Sequence, residues 1–183
     1  DWSSDVCSSD LTRIGLWGHS YGGYAVAMMN ATSSRFRAVV ASAGLYDLAG
    51  TIGTFGPSAR AMPENGVPIA SLYAWAERGQ GRMGAPPWLA PARYVANSPV
   101  YVADRMHAPM LIIGADRDVS PLGQAEQLFS ALYRQGKDAE LVTYWGEGHV
   151  VASPANLRDL YARVIAFFRD NFGTEAEPSH AGR

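Results

Sequence analysis

Apolar positions along the chain fall into short, dense runs separated by longer stretches in which they recur every three or four residues. The dense runs lead into Gly18, cover Phe36 to Ala43 and Met110 to Gly114, and recur in Glu140 to Tyr144. Such short, nearly continuous runs suit strands buried on both faces of a parallel sheet. Between them lie helical patterns. Small and apolar residues (Ala25 to Met29) follow the first run. Ala125, Leu128, Phe129, Leu132 and Tyr133 share one helical face, and Leu157, Leu160, Tyr161, Val164, Ile165, Phe168 and Phe172 line another. Ser120-Pro121 and Ser153-Pro154 read as cap and first position of these two helices, and Gly136 and Gly173 as their stops. From about 50 to 99 the pattern lapses into Gly, Pro, Ala and aromatics. A helix is expected there from Ile69 to Arg78, with Leu72, Tyr73 and Ala76 on one side, in an excursion laid over the domain that shapes a pocket. The order strand-helix-strand, excursion, strand-helix-strand-helix predicts an α/β fold, a doubly wound, mostly parallel sheet.

Composition narrows the function classes. The 183 residues, 48% hydrophobic and 17% charged, are enough for one globular domain with a substantial core. A formal net charge of -2 offers no basic face for nucleic acid and no polybasic membrane patch, and no apolar run reaches membrane-spanning length. The single cysteine, Cys7, forbids an intrachain disulfide and a cysteine-based zinc site. No His/Asp/Glu spacing suggests a metal and no Gly-rich loop suggests a phosphate, so no cofactor is expected. Residues 1–11 match the translation of a short-read sequencing adapter residue for residue and are read as foreign to the gene. The expected domain is then 12–172, with 173–183 a frayed tail and the upstream part of the chain missing.

Gly18-His19-Ser20-Tyr21-Gly22 carries the candidate chemistry. It is a G-x-S-x-G elbow between a predicted strand and a predicted helix. The sharp turn strains the serine backbone, and Gly18 and Gly22 are expected to make room for it. Ser20 would project its hydroxyl above the sheet, with the Tyr21 N–H facing a developing oxyanion. A serine hydroxyl needs an imidazole to take its proton and a carboxylate to orient that imidazole. Of the four histidines, His19 lies inside the elbow, His107 precedes a strand at its amino-terminal end and His180 is in the tail. His149 remains, in the first loop after a strand. Asp116 and Asp118 share the loop after Gly114. Asp116, nearer the strand end, is preferred as the better anchored. Asp47 and Glu147 read as loop hydrogen-bonding residues. Ser20, Asp116 and His149 all fall on the carboxyl edge of the sheet, where sites of such folds form, and their order is that of α/β-hydrolases.

These residues, with Gly23-Tyr24, Ala43-Gly44-Leu45-Tyr46-Asp47, Met83-Gly84-Ala85-Pro86-Pro87-Trp88, Asn97-Ser98-Pro99, Pro109 to Gly114 and Gly146-Glu147-Gly148-His149, resemble the catalytic domain of the prolyl oligopeptidase family of serine peptidases. The resemblance runs from about Arg13 to Phe172. It implies a partial α/β-hydrolase fold lacking its first strands, and a serine-type peptidase acting through an acyl-enzyme with Ser20, Asp116 and His149. In the family the acid stands three before a Val or Thr, which lands on Asp116 with Val119. Where relatives often read D-x-R-V-P, this chain reads Asp116-Arg117-Asp118-Val119-Ser120-Pro121. The resemblance also implies a pocket of Tyr21, Leu45, Leu48 and Val119 for the residue before the scissile bond. Its implied partners are a peptide substrate and the missing upstream part of the chain, a β-propeller, the first strands and a tyrosine that is the second oxyanion donor. A carboxylesterase on the same fold and an inactive binding domain or gene fragment are the competing expectations.

Overall fold

In the computed structural model, which describes residues 10–52, 54 and 69–173, the four expected strands form one parallel sheet. They are β1 (Ile14–His19), β2 (Phe36–Ser42), β3 (Met110–Ala115) and β4 (Ala139–Tyr144), hydrogen-bonded in that spatial order. The register places Gly18 beside Ala41, Ala41 beside Ile112, and Ile113 beside Val142. Every strand therefore ends on the same edge.

The near-continuous apolar runs are explained by two cores. In β2, Val39 and Ala41 face one side while Ala38 and Val40 face the other, and all four are fully buried. The first core is closed by α1 (Tyr21–Thr32), the 3-10 helix Pro99–Arg105 and α5 (Leu122–Tyr133), with Val26, Ala27, Leu128 and Leu132 packed on Met110 and Ile112. The second is closed by α6 (Pro154–Phe172), through Leu160, Val164 and Phe167 against Leu111 and Ile113. Helices on both faces make the sheet doubly wound, as the pattern predicts.

The excursion forms a third, smaller core. It contributes α2 (Leu48–Thr51), α3 (Ile69–Glu77) and α4 (Pro91–Ala96). Leu45, Leu48, Ala76, Met83 and Tyr94 are buried together there. Ser98 Oγ accepts from Leu48 N at 2.9 Å and donates to Tyr94 O at 2.7 Å, pinning the excursion to the chain that leaves β2. Within the predicted excursion, 53 and 55–68 lie outside the described residues.

Several local expectations are corrected. Ser120 does not cap α5; its hydroxyl donates to Ala43 O at 2.9 Å, and Pro121 is the capping position. Ser153 precedes α6 without a side-chain cap bond. Tyr133 is largely exposed and stacks on Phe129 at 5.8 Å, although Leu132 beside it is buried. On α6, Leu157, Tyr161 and Ile165 are exposed in part or in full. They lie near β1, which among the described residues pairs only with β2. Trp17 of β1 meets Tyr161 edge-on at 5.7 Å and is itself 45% exposed.

Candidate active site

Ser20 sits between β1 and α1 with φ 61° and ψ −122°, a left-handed backbone that a side chain rarely adopts and that costs about 1–3 kcal/mol. The turn is held on both sides. Ser20 N donates to Ser42 O at 2.9 Å, and Tyr24 N donates to Ser20 O at 3.2 Å. A β carbon at Gly18 would collide with the Gly22 carbonyl, which is why the strand side must be glycine. On the helix side the expectation for Gly22 is corrected. Nothing lies within 4 Å of a β carbon built there, whereas one at Gly23 would stand 2.5 Å from Ser42 O. Gly23, not Gly22, lets α1 close on β2.

His149, in the loop after β4, brings Nε2 to 2.8 Å from Ser20 Oγ. Its Nδ1 lies 2.7 Å from Asp118 Oδ1. The preference for Asp116 is therefore corrected. β3 runs on to Ala115, so Asp116 is the first residue of the loop and its Oδ1 accepts from Gly146 N at 2.5 Å. Two residues on, the chain has folded back over the sheet edge. Asp118 is 2% exposed there, and its Oδ1 also accepts from Ser120 N at 2.8 Å. Hydroxyl, imidazole and carboxylate thus follow β1, β4 and β3 and stand in line. Such an arrangement can remove the serine proton as the oxygen attacks a carbonyl, and hold the resulting imidazolium beside a carboxylate.

The other candidates fall into place around this line. The Tyr21 amide is the first of α1 and so lacks an intrahelical acceptor. The His19 ring lies 4.9 Å from that of His149. Burial, and then the neighbouring His149, lower the His19 pKa against the opposing pull of Asp118, so His19 tends to stay neutral. Asp47 caps α2 by accepting from Gly50 N at 3.0 Å. The His107 backbone N–H donates to the buried Asn30 at 3.1 Å, and His180 lies outside the described residues.

Glu147 is the loop residue the sequence suggests, with a wider reach than its position implies. Its carboxylate accepts from Ala152 N at 2.8 Å, Ser153 N at 3.1 Å and Asn156 Nδ2 at 2.8 Å, doing at the start of α6 what Ser153 does not. Its carbonyl accepts from Arg117 N at 3.1 Å. Glu147 thus adds a backbone link between the loops bearing Asp118 and His149 to the one made by Asp116 and Gly146. The Ala152 N–H first, then Ser153 and Asn156, hold the Glu147 pKa down at about 2. Because the folded value lies below the ordinary 4.5, the stabilisation is complete above about pH 4.5 and is lost as pH falls toward about 2. We expect Glu147→Ala in the full-length chain to flatten the fall of Tm across that window. It should also lower kcat by about 10²-fold through displacement of His149. Thermal scans from pH 2 to 7 and steady-state kinetics at neutral pH check both.

On one side of the Ser20–His149 pair a cavity of about 250 Å³ is lined by Tyr21, Tyr24, Leu45, Trp75, Gln80 and Val119, besides Ser20, Ser120 and His149. Of the four residues that the resemblance names for a pocket, Tyr21, Leu45 and Val119 line this cavity. Leu48 does not; it is 1% exposed in the small core beneath. Tyr24, Trp75 and Gln80 escaped the sequence reading. Tyr24 was legible in principle, one helical turn after Tyr21, and their rings meet at 5.3 Å. Across His149 a second cavity of about 230 Å³ is lined by apolar residues including Trp17, Ile113, Val151 and Leu160. Among the described residues no group of three or more His, Cys, Asp or Glu could hold a metal ion, and no helix is long and apolar enough to cross a membrane.

Comparison with known proteins adds to this geometry. The profile of the Prolyl oligopeptidase family matches residues 4–175. The lasso peptide isopeptidase AtxE2 of Asticcacaulis excentricus is 32% identical over 171 residues, 93% of this chain and 22% of that protein. Among solved structures, the acylaminoacyl peptidase of Pyrococcus horikoshii superposes with a TM-score of 0.73 at 23% identity, over 92% of this chain and 26% of that one. A puromycin-hydrolyzing peptidase of Mycobacterium tuberculosis gives 0.72 at 25% identity, over 91% and 23%. The chain spans about a fifth of the length of the curated relatives it matches.

Proposed function

The chain belongs to the prolyl oligopeptidase family, and from that premise we propose that it carries the reacting part of a serine peptidase in which Ser20, His149 and Asp118 act together. The observation behind this reading is the pair of contacts at His149, 2.8 Å to Ser20 Oγ and 2.7 Å to Asp118 Oδ1. Ser20 Oγ attacks the peptide carbonyl as its proton passes to His149 Nε2. Asp118 holds Nδ1–H and stabilises the imidazolium. The carbonyl oxygen, now negative, accepts a hydrogen bond from the Tyr21 N–H. As the C–N bond breaks, Nε2–H protonates the departing amine and leaves an acyl ester on Ser20. Water, deprotonated by the same nitrogen, then attacks the acyl ester, and Nε2–H returns its proton to Ser20 Oγ as the acid leaves. Hydrolysis of a peptide anilide compared with a short acyl ester, in the full-length chain, tests the class. Turnover of the anilide supports a peptidase, and turnover of the ester alone would make the protein an acyl-hydrolase instead.

The free side of β1 supports a second part of the proposal, that upstream residues of the same chain complete the sheet and supply a further oxyanion donor. Trp17 and the exposed stripe of α6, beside a strand that among the described residues pairs on one side only, form a surface on which other chains would pair and aggregate. Residues 12–183 alone should therefore be polydisperse by light scattering. Lacking one oxyanion donor, they should also be about 10²–10³-fold slower in turnover than the full-length chain. A monodisperse and equally active short chain would refute this.

A further inference from the structure

Among the described residues two buried side-chain oxygens have no hydrogen-bond partner, Tyr46 Oη and Asp118 Oδ2. The first can donate and the second can only accept, and a buried group of either kind is costly unless it is paired. Tyr46 follows β2, is fully buried in the first core, and has its backbone fixed on both sides. Its N–H donates to Gln124 Oε1 of α5 at 2.9 Å, that of Asp47 donates to the same oxygen at 2.7 Å, and its carbonyl accepts from Val100 N at 3.0 Å. So anchored, the ring folds back on the chain that leaves β2. A β carbon at Gly44 would stand 2.7 Å from Cε1, Cζ and Oη of Tyr46, so the phenol end lies directly on the Gly44 backbone. That spot adjoins the loop of Asp118. The preceding carbonyl, of Ala43, accepts the Ser120 hydroxyl at 2.9 Å, and Ser120 N donates to Asp118 Oδ1 at 2.8 Å. Burial raises the Tyr46 pKa, the Gly44 N–H opposes the rise, and the Asp118 charge adds to it, so the phenol keeps its proton. A neutral hydroxyl turns about its C–O bond to present that proton to an acceptor.

We propose that Tyr46 is a positioning residue for the relay, directing its hydroxyl proton at Asp118 Oδ2 while Oδ1 holds His149. The proposal rests on Asp118 as the orienting acid. With Oδ1 alone engaged, the carboxylate can turn about its Cβ–Cγ bond. A donor directed at Oδ2 fixes its plane, and with it the line from Oδ1 through the imidazole to Ser20. Tyr46 lines neither cavity beside Ser20, so its influence on turnover passes through Asp118 rather than through contact with substrate.

Tyr46→Phe in the full-length chain tests this, because it removes one oxygen, keeps the ring and adds no atom to the core. It should lower kcat on a peptide anilide roughly 10-fold, the low end for a hydrogen bond to a charged group. KM should hold within about twofold, since no atom lining the cavities changes. In the Asp118→Asn chain the same substitution should cost less than about twofold, because the group through which it acts is already gone. A hydroxyl that serves no acceptor predicts the opposite. Its removal would leave kcat unchanged and Tm unchanged or raised, and that result overturns the proposal, as does an equal loss of kcat in both backgrounds. Asp118→Asn alone separates the two readings. A kcat near that of the unsubstituted chain would refute Asp118 as the acid, whereas a large loss there with no effect of Tyr46→Phe refutes Tyr46 alone.

Discussion

Ser20→Ala in the full-length chain is expected to abolish fluorophosphonate labelling and to lower turnover by about 10⁶-fold, the scale seen when the serine of such a relay is removed. The reagent bonds to an activated hydroxyl, and only Ser20 has its Oγ on the Nε2 of His149. What remains should be the contribution of binding and of the Tyr21 N–H, roughly 10³–10⁴ over water. The alanine should be accommodated without collapse, since the elbow is fixed by the Ser20 N to Ser42 O bond and by Gly18 and Gly23, none of which involves the hydroxyl. Intact protein mass after labelling, together with steady-state hydrolysis of a peptide anilide, reads both effects. Labelling that survives the substitution would place the nucleophile elsewhere.

Asp118→Asn should follow closely, with a loss near 10⁴-fold, and Asp116→Asn should cost far less. The amide at 118 can turn its NH₂ toward Nδ1, which moves the ring proton to Nε2 and leaves no base facing Ser20. At 116 the carboxylate accepts the Gly146 N–H, and an amide oxygen can still accept it. Comparing kcat for the two variants under one set of conditions separates them. Equal and small losses would exclude both residues as the orienting acid.

These two aspartates show where the sequence stops being sufficient. The strands, their common edge, Ser20 and His149 were all legible, because each rests on a local pattern: a dense apolar run, a glycine-flanked serine, or a histidine in the first loop after a strand. Choosing between Asp116 and Asp118 depends on where β3 ends and on Gly146, thirty residues away, claiming the nearer carboxylate. No local pattern encodes that competition. The helix starts teach the same lesson. Both Ser-Pro steps precede helices, as expected, yet Ser120 spends its hydroxyl on Ala43 O and the donors at the start of α6 go to Glu147. Gly22 and Gly23 are indistinguishable in sequence, and only the approach of α1 to Ser42 O tells which one lacks room for a side chain. The α6 stripe was legible as apolar, but its full width was not legible as burial, because that depends on what lies beside β1. Trp75 needed the excursion to be folded before it could be seen near Ser20 at all.

β2 contributes no reacting atom, yet both halves of the relay are surveyed from its end. Ser42 O receives the Ser20 amide, and the next carbonyl, of Ala43, receives the Ser120 hydroxyl from the loop that carries Asp118. Ala43 itself has φ 53° and gives its N–H to Ile113 O at 2.9 Å, so these two adjacent peptides are aimed by a bend that the sheet pins in place. Asp118 and His149 are meanwhile linked through Arg117 N and Glu147 O into one unit. Mechanically the site is two rigid bodies with a shared datum. Among the described residues they meet where Ser20 Oγ faces His149 Nε2 and where the His19 and His149 rings approach, and the alignment there depends on two neighbouring carbonyls at the end of β2.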